Sequence, residues 1–373
     1  MAQDKFIGLD VHKDTIVIAV AEGGRRGEVR NYGTISNDLH ALVKALRKLG
    51  GPGITLHVVY EAGPCGFVIE RRLRQLKIAC IVVSPSLIPK KRGERIKTDR
   101  RDAIALARLH RAGELSAIHV PDAIDESVRD LARARSDAVS DQTRARHRLK
   151  GFLLRLGYKY RGKSSWTDAH RKYLRELELP LPVHKAVLEE GILAIEEADT
   201  RVQRLEELLA ANAPRWRLYP VVQALMCLRG FQLVAATTIV AELGDTRRFD
   251  HPRQLMAYLG LIPGEHSSGG TRRQGSITKA GNAHARWMMI EAAQHYRLPP
   301  KVSCQLTERQ RGQPRAICAL GWNAQNRLYK RYWQLTHRGL MKGKIQVAIA
   351  RELTGFVWDV MRQRFALLEA ASN

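Results

Sequence analysis

The stretch KFIGLDVHKDTIVIAVA, residues 5–21, decides how the N-terminal part of the chain folds. Two apolar runs rich in β-forming residues lie on either side of a short polar break, and this pattern predicts two strands joined by a tight turn. A carboxylate, Asp10, lies in the first of these strands. The stretch therefore predicts the start of a sheet that carries an acidic side chain.

The elements that follow this hairpin extend the sheet and add helices. The run VRNYGTI, residues 29–35, reads as a third strand, and a helical periodicity comes after it. A buried strand then ends at Glu61, a second helix and the strand IACIVVSP follow, and a third helix begins near Asp99. Three strands followed by alternating helices and strands are the element order of a ribonuclease-H-like α/β fold, which we expect over residues 1–120.

The rest of the chain is predicted to be mostly helical, in two parts. Residues 121–215 combine basic helices with a coiled-coil linker, and residues 216–373 are helical at both ends around a segment rich in glycine and serine. Seven apolar residues of the linker alternate spacings of three and four: Leu188, Ile192, Ile195, Ala198, Val202, Leu205 and Leu209. We expect this seam to pair with a helix of another subunit. The alternative is that it packs on the core of its own domain.

The composition of the chain limits what it binds and where it works. The 373 residues include 62 Lys and Arg against 37 Asp and Glu, a formal net charge of +25. This excess implies a polyanionic partner, either nucleic acid or an anionic membrane surface. Long apolar runs and a signal peptide are both missing, so we expect a cytoplasmic protein without a membrane partner. The cysteines are scattered along the sequence, which disfavours a zinc site and a disulfide framework. They are Cys65, Cys80, Cys227, Cys304 and Cys318.

Four acidic residues are predicted to meet at one edge of the sheet. In the predicted element order the first and fourth strands are neighbours, so Asp10 and Glu61 lie side by side. Asp99 and Asp102 share one face of the third helix. Converging carboxylates repel one another and require cations, so we predict a Mg²⁺ site, where two ions about 3.5–4 Å apart would assist a phosphoryl displacement. The alternative is that each acid pairs with a nearby arginine or caps a helix, as Asp99 does if it acts with Thr98.

The segment PGEHSSGGTRRQGSITKAGN, residues 263–282, combines hydroxyl groups and glycines with the basic residues Arg272, Arg273 and Lys279. Glycine lets backbone approach a ligand closely, and basic side chains fix phosphates. A serine here is a candidate nucleophile that attacks phosphorus and forms a covalent phosphoserine. The alternative, which composition alone favours, is a flexible loop that binds phosphate.

Four motifs, in this order along the chain, resemble the transposases of the insertion-sequence 110 family, including its 1111 branch. They are GLDVHKD at residues 8–14, YEAG at 60–63, KTDRRDA at 97–103 and YLGLIPGEHSSGGTRRQGSITKAGNAHAR at 258–286. The resemblance implies an N-terminal RuvC-like DEDD domain, a coiled-coil linker and a C-terminal transposase domain with a serine. It assigns the DEDD positions to Asp10, Glu61, Asp99 and Asp102.

The resemblance also implies a reaction and a set of partners. Ser268, which precedes a glycine and follows Ser267, corresponds to the family's serine. The expected protein is a recombinase that cuts and rejoins donor and target DNA through this serine, with Mg²⁺ at the DEDD acids. A structured guide (bridge) RNA selects both DNA sites by base pairing. Members are expected to work at the bacterial nucleoid as dimers that assemble into tetramers, in which the acids of one subunit meet the serine of another.

The basic stretch in the middle of the chain gains a role under this resemblance. We expect five of its side chains to contact the backbone of RNA or DNA: Lys150, Arg155, Lys159, Arg161 and Lys163. The alternative is a solvated basic face without a specific partner. One segment departs from the family: CLRGFQLVAATTIVAELG, residues 227–244, has an incomplete version of the usual Pro-Gly-Ile-Gly hairpin.

Two other functions fit parts of the sequence. A RuvC-like, metal-dependent junction endonuclease would use the four acids and water, but it leaves the C-terminal third of the chain without a task. A non-enzymatic architectural nucleic-acid-binding protein would account for the net charge of +25 but not for the placement of the acids. The recombinase accounts for both.

Overall fold

The computed structural model of the chain describes residues 3–24, 26–89, 98–265 and 274–372. These residues form two compact units, Met1–Val120 and Pro121–Asn373. The further division of the second unit at about residue 215 stays a prediction. Within the described residues, no helix is both long enough and apolar enough to cross a membrane.

The first unit is built on a five-stranded mixed sheet. Its elements, in chain order, are β1 (Gln3–Val11), β2 (Thr15–Glu22), β3 (Val29–Ser36), α1 (Leu39–Leu49), β4 (Ile54–Glu61), α2 (Val68–Gln75), β5 (Ala79–Val83) and α3 (Asp99–Arg111). The strand order is β3-β2-β1-β4-β5, with β1, β2 and β3 antiparallel and with β4 and β5 parallel to β1. The predicted order of elements is confirmed, and this sheet with its helices is consistent with a ribonuclease-H-like domain.

The hairpin between β1 and β2 assigns the residues of β1 to two faces of the sheet. The backbone N–H of His12 donates to the carbonyl of Thr15 (2.9 Å) and closes the turn. Because side chains alternate along a strand, Ile7 and Leu9 join the apolar core that also contains residues of α1 and α2. Gly8 and Asp10 lie on the opposite face, which α3 covers.

Gly8 lets α3 lie close against β1 on that opposite face. A Cβ atom at this position would lie 2.6 Å from the backbone nitrogen of Ala107 and would also overlap the carbonyl of Ala103. Only glycine therefore allows this approach. Asp10 is two residues beyond Gly8 on the same face, and the first turn of α3 precedes Ala103. The start of α3 consequently lies beside the end of β1.

The second unit is mostly helical, as predicted for this part of the chain. Its elements, in chain order, are α4 (Ala123–Arg155), α5 (Asp168–Glu176), α6 (Pro182–Asn212), α7 (Tyr219–Leu225), α8 (Leu233–Leu243), α9 (Pro252–Tyr258), β6 (Pro263–Glu265), β7 (Gln274–Ile277), α10 (Ala283–Ala293), α11 (Cys304–Gln310), α12 (Arg315–His337) and α13 (Lys342–Ser372). Residues of α7, α8, α9, α10, α12 and α13 form one large apolar core. The strands β6 and β7 form a separate two-stranded antiparallel sheet.

The helix that carries the predicted seam, α6, packs antiparallel to α4 of the same chain. Arg135, early on α4, pairs with Glu206 late on α6, whereas Gln142 further along α4 pairs with the earlier Asp199. Four seam residues, one heptad apart, are buried: Leu188, Ile195, Val202 and Leu209. Within the chain, α4 packs along these four residues, as the alternative of a seam packed on its own domain requires. Pairing of the seam with another subunit stays a prediction.

Candidate metal centre and nucleic-acid interface

Asp10 and Glu61 lie at the same edge of the sheet of the first unit. Strands β1 and β4 pair in parallel with Leu9 opposite Tyr60, so the next residue of each strand falls at the shared carboxyl end. Asp10 is half-buried, and Glu61 is exposed. The two strands are therefore neighbours as expected, and the role of the two acids as metal ligands stays a prediction.

The first turn of α3 carries the other two acids, Asp99 and Asp102. Thr98 caps this helix by accepting a hydrogen bond from the backbone N–H of Arg101 (3.4 Å), so Asp99 is the first helical residue and not the cap. Asp99 is exposed, and Asp102 is half-buried. The helix dipole favours acids in a first turn, which is a structural reason for their presence besides ligand binding.

A histidine that the sequence reasoning missed joins the acids. The Nε2 atom of His12 lies 3.2 Å from Oδ2 of Asp10 and 3.5 Å from Oδ2 of Asp99. These three side chains offer ligand atoms that all lie within 4.8 Å of one another. Asn37 fixes the turn, because its Nδ2 donates to the carbonyl of His12 (2.7 Å). The signal in the sequence is the Asp-x-His spacing at the end of a strand, which places both side chains on one face.

We call four residues the acid cluster: Asp10, His12, Asp99 and Asp102. The electrostatics of this cluster favour a bound cation. Burial raises the pKa of Asp10, the neighbouring His12 opposes the rise, and the negative charges of the two other aspartates add to it. A divalent cation removes this repulsion, and carboxylates with an imidazole are a donor set that binds such ions. The residues present therefore fit a divalent metal.

The described ends of the serine segment are the strands β6 and β7, in which Glu265 lies opposite Gln274. The residues predicted to act on DNA between these strands lie outside the described part of the chain: Ser267, Ser268, Arg272 and Arg273. Lys279 follows β7, is exposed, and has a positive φ of 55°. Its backbone N–H donates to the carbonyl of Gly260 (3.1 Å), so the chain leaving the segment is fixed against the end of α9.

The five basic residues predicted to contact a nucleic-acid backbone lie at the C-terminal end of α4 and in the chain that follows it. All five are exposed: Lys150, Arg155, Lys159, Arg161 and Lys163. The Nζ atom of Lys150 donates to Oγ of Ser165 (3.2 Å), and the guanidinium of Arg155 lies 5.8 Å from the ring centroid of Phe152. They form an exposed basic surface, whose binding to RNA or DNA stays a prediction.

A second carboxylate site, which the sequence reasoning missed, lies inside the second unit. The side chain of Glu242 is fully buried and accepts hydrogen bonds from Nε and Nη2 of Arg133 (2.7 and 2.9 Å) and from Nδ2 of Asn282 (2.7 Å). Nδ1 of His284 is 3.0 Å from Glu242, and Nε2 of His284 is 2.8 Å from Oγ of Ser136. Burial raises the pKa of Glu242, but hydrogen bonds from its three partners outweigh burial and lower the pKa to about 2. We call these five residues the Glu242 network.

Two family models match the chain. One, for the DEDD domain of IS110-type elements, is described as a transposase and matches residues 7–157. The other is described as the transposase IS116/IS110/IS902 family and matches residues 222–301. The class of protein is therefore a DNA transposase, an enzyme.

Relatives place the chain within this class. It is 42% identical over 361 residues to the candidate transposase y4qE of Sinorhizobium fredii, covering 97% of this chain and 89% of that protein. It is 29% identical over 342 residues to the transposase for insertion sequence element IS1533 of Leptospira borgpetersenii, covering 90% and 97%. The transposase for IS1111A of Coxiella burnetii is 25% identical over 303 residues, covering 79% and 78%. The chain belongs to the IS116/IS110/IS902 family of transposases, as its motifs indicated.

Proposed function

We propose that this transposase moves an insertion sequence by cutting and rejoining DNA strands through a covalent phosphoserine, with Mg²⁺ at the acid cluster and a guide RNA that selects the sites. The observation that carries the proposal is the meeting of Asp10, His12 and Asp99 within 4.8 Å at the edge of the sheet. Gathering like charges on a half-buried aspartate costs stability, so the cluster is better explained by a bound cation than by a structural role.

The proposed ligands of Mg²⁺ are Asp10, Glu61, Asp99 and Asp102. The bound ion supplies Lewis-acid polarisation of the scissile phosphate. Because Mg²⁺ prefers oxygen ligands, we assign His12 a positioning role: its Nε2 holds the carboxylates of Asp10 and Asp99 toward one another.

Ser268 is the proposed nucleophile. Its hydroxyl oxygen forms a bond to phosphorus, the bond from phosphorus to a DNA oxygen breaks, and that oxygen takes up a proton and leaves as a hydroxyl. A DNA hydroxyl later attacks the phosphoserine, which releases the serine and joins the strand to a new partner. Arg272, Arg273 and Lys279 are the proposed partners of the non-bridging phosphate oxygens.

The guide RNA and the assembly complete the proposal. The basic surface at the end of α4 is the proposed RNA contact, since charge and shape dominate recognition of structured RNA. Dimers that assemble into tetramers, with the acids of one subunit acting on the same DNA as the serine of another, remain part of the proposal. Four heptad residues of α6 are buried within the chain, so a contact between subunits through α6 would use the half-exposed residues of its seam.

Detection of the covalent intermediate tests the proposed chemistry. The protein is incubated with labelled donor and target DNA, guide RNA and Mg²⁺, and the products are separated on a denaturing gel. We expect a protein–DNA band for the wild type and for Ser267→Ala, and none for Ser268→Ala, which still binds DNA and RNA. Asp102→Asn is expected to lack the band because a metal ligand is lost.

Two outcomes would contradict the assignment in different ways. A band of wild-type intensity in Ser268→Ala would mean that the nucleophile is another residue. Cleaved DNA without any protein–DNA band, in the wild type as well as in Ser268→Ala, would identify a metal-dependent endonuclease in which water attacks the phosphate.

The RNA contact is tested separately. RNA that copurifies with the protein is sequenced, and we expect a structured RNA encoded beside the gene. Replacing Lys159, Arg161 and Lys163 by alanine should weaken RNA binding and reduce its salt dependence, by about one unit of slope for each lost phosphate contact. Lys172→Ala, which changes an exposed lysine on α5, is the control. If the affinity of the wild type for RNA did not change with salt, the RNA would bind at another surface.

A further inference from the structure

The composition of α12 is typical of a helix that binds nucleic acid, and neither the acid cluster nor the basic surface gives this helix a role. Between Arg315 and Arg338 the sequence contains five Lys and Arg residues and no Asp or Glu. The same stretch contains two tryptophans and two tyrosines. Aromatic residues interleaved with basic ones are the features with which proteins stack bases and bind phosphates.

Both tryptophans of α12 face solvent on one side of the helix. Trp322 is 44% exposed and Trp333 is 40% exposed. They are eleven residues apart on α12, which separates them by about 20° around the helix and by about 16 Å along its axis. This length matches about five stacked bases at about 3.4 Å each. Leu328 and Tyr332, on the other side of the helix, are buried in the core.

The rings around Trp333 form a continuous aromatic surface. The ring centroid of Tyr329 is 6.4 Å from that of Trp333, and the ring centroid of His337 is 6.3 Å from it on the next turn. The indole N–H of Trp333 donates to the carbonyl of Arg297 (3.2 Å), which holds the ring in place. An aromatic ring that is already held loses little conformational entropy when a base stacks on it.

The charge on this face is positive. Lys330 lies between the two tryptophans along the helix and is exposed. Arg327 and Arg331 lie about 120° and 160° around the helix from Trp333, beside this face. Both pair with Glu352 of α13, at 3.2 and 3.1 Å, so a single carboxylate offsets only one of the two neighbouring guanidinium groups. Two copies of a positive face repel each other, which disfavours self-association through it. An anionic partner with flat apolar groups fits both the charge and the rings.

We propose that the exposed face of α12, defined by Trp322, Tyr329, Lys330 and Trp333, binds single-stranded DNA. Unpaired bases stack on the two indole rings, and Lys330 contacts the phosphates between them. Duplex DNA offers no free base faces, so this surface selects DNA that has opened. The proposal uses the fact that the protein is a DNA transposase, but it does not depend on the phosphoserine at Ser268.

Binding of labelled DNA oligonucleotides tests the proposal. Fluorescence anisotropy is measured with the full-length protein and a single strand of about 12 nucleotides, in EDTA so that no joining occurs. We expect Trp322→Ala and Trp333→Ala each to weaken binding by about fivefold or more, since base stacking contributes about 1–3 kcal/mol per base. Trp333→Phe should retain most of the affinity, because a phenyl ring also stacks.

The controls separate stacking from charge and from folding. Trp287→Ala changes another tryptophan, on α10, that is 44% exposed, and it should bind the single strand as the wild type does. Lys330→Ala should lower the salt dependence by about one unit of slope while leaving the stacking contribution in place. Unchanged thermal melting temperatures will show that each variant is folded.

Four results would overturn the proposal. The first is an affinity of the double variant, Trp322→Ala with Trp333→Ala, for the single strand within about twofold of wild type. The second is an equal loss of affinity for duplex DNA in the double variant, and the third is tighter binding of an RNA strand than of a DNA strand of the same sequence. The last is a lower molecular mass of the double variant in light scattering with unchanged DNA affinity. The last result would identify the face as a contact between subunits.

Discussion

Each unit of this molecule contains a carboxylate that is partly or fully removed from water, but the surroundings of the two carboxylates differ. One has hydrogen-bond partners that balance its negative charge, and the other has negatively charged neighbours. In the second unit, burial raises the pKa of Glu242, but hydrogen bonds from three partners lower it to about 2. In the first unit, burial raises the pKa of Asp10, and two neighbouring aspartates raise it further against the effect of a single histidine. One carboxylate has its charge balanced by the protein, whereas the other is placed among like charges.

The difference indicates what each site is for. A buried, fully hydrogen-bonded carboxylate such as Glu242 joins α4, α8 and α10 and stabilises the fold once it is formed. A carboxylate that repels its neighbours costs stability, and such sites are retained where a ligand compensates the charge. The Glu242 network is therefore expected to govern stability, and the acid cluster is expected to govern activity.

The largest effect is expected from Asp10→Asn. Removing a metal ligand should reduce DNA joining by more than about 100-fold, because even residues that only support a ligand lower activity by about 10- to 100-fold when they are lost. The stability of the folded chain should not fall, since the change removes one of several like charges. Joined product on a gel and thermal melting in EDTA measure the two quantities.

Melting with added Mg²⁺ provides the control for Asp10→Asn. A cation that binds only the folded chain raises the melting temperature, so Mg²⁺ should stabilise the wild type and should stabilise the variant much less. An equal rise in both proteins would mean that the ion binds at another site. A lower melting temperature of the variant in EDTA would assign Asp10 a structural role.

The next largest effect is expected from Glu242→Gln. The variant leaves Arg133 without its anionic partner, and breaking a buried ion pair is strongly destabilising, but the guanidinium is about half exposed to water. We expect a loss of about 2–3 kcal/mol in the free energy of unfolding, measured by urea denaturation. Glu291→Gln, an exposed glutamate on α10, is the matched control and should change stability little. Equal stability of both variants would remove the contrast between the two carboxylate sites.

The pH dependence of the loss of unfolding free energy in Glu242→Gln tests the comparison further. The folded pKa of Glu242, about 2, lies below the unfolded value near 4.5, so its contribution is present above about pH 4.5. The contribution declines as the pH falls from about 4.5 toward 2. The difference in unfolding free energy between wild type and Glu242→Gln should therefore be constant above about pH 5 and shrink below it. If this difference in unfolding free energy stayed constant as the pH fell toward 2, the charge of Glu242 would not be what stabilises the network.

The fold of the first unit was predictable from sequence because each of its elements has a local signal. Strand alternation and helical spacing both lie within a few residues of where they act. The element order alone predicts that Asp10 and Glu61 lie on neighbouring strands. The position of His12 beside Asp99 does not follow from the element order, because it depends on how closely α3 approaches β1.

The second unit shows why long-range partners were missed. A heptad seam in α6 indicates that a helix packs there, but it does not say which helix; buried alanines on α4, such as Ala138 and Ala145, are the weak signal for the partner. Glu242 is the only charged residue of α8, a helix that is otherwise almost wholly apolar. That lone charge signals a buried partner, yet Arg133 lies 109 residues away in sequence.

The smallest effect is expected from Ser136→Ala, at the outer end of the Glu242 network. Ser136 contacts the network only through Nε2 of His284 (2.8 Å), and a hydrogen bond of this kind contributes about 0.5–1.5 kcal/mol. Alanine is also the better helix former within α4, which offsets part of the loss, so the net change should be under about 1 kcal/mol. Urea denaturation of Ser136→Ala, alone and combined with Glu242→Gln, forms a double-mutant cycle. Because His284 joins the two residues, we expect a coupling of about 0.5 kcal/mol or more. Additive effects would mean that the network ends at His284.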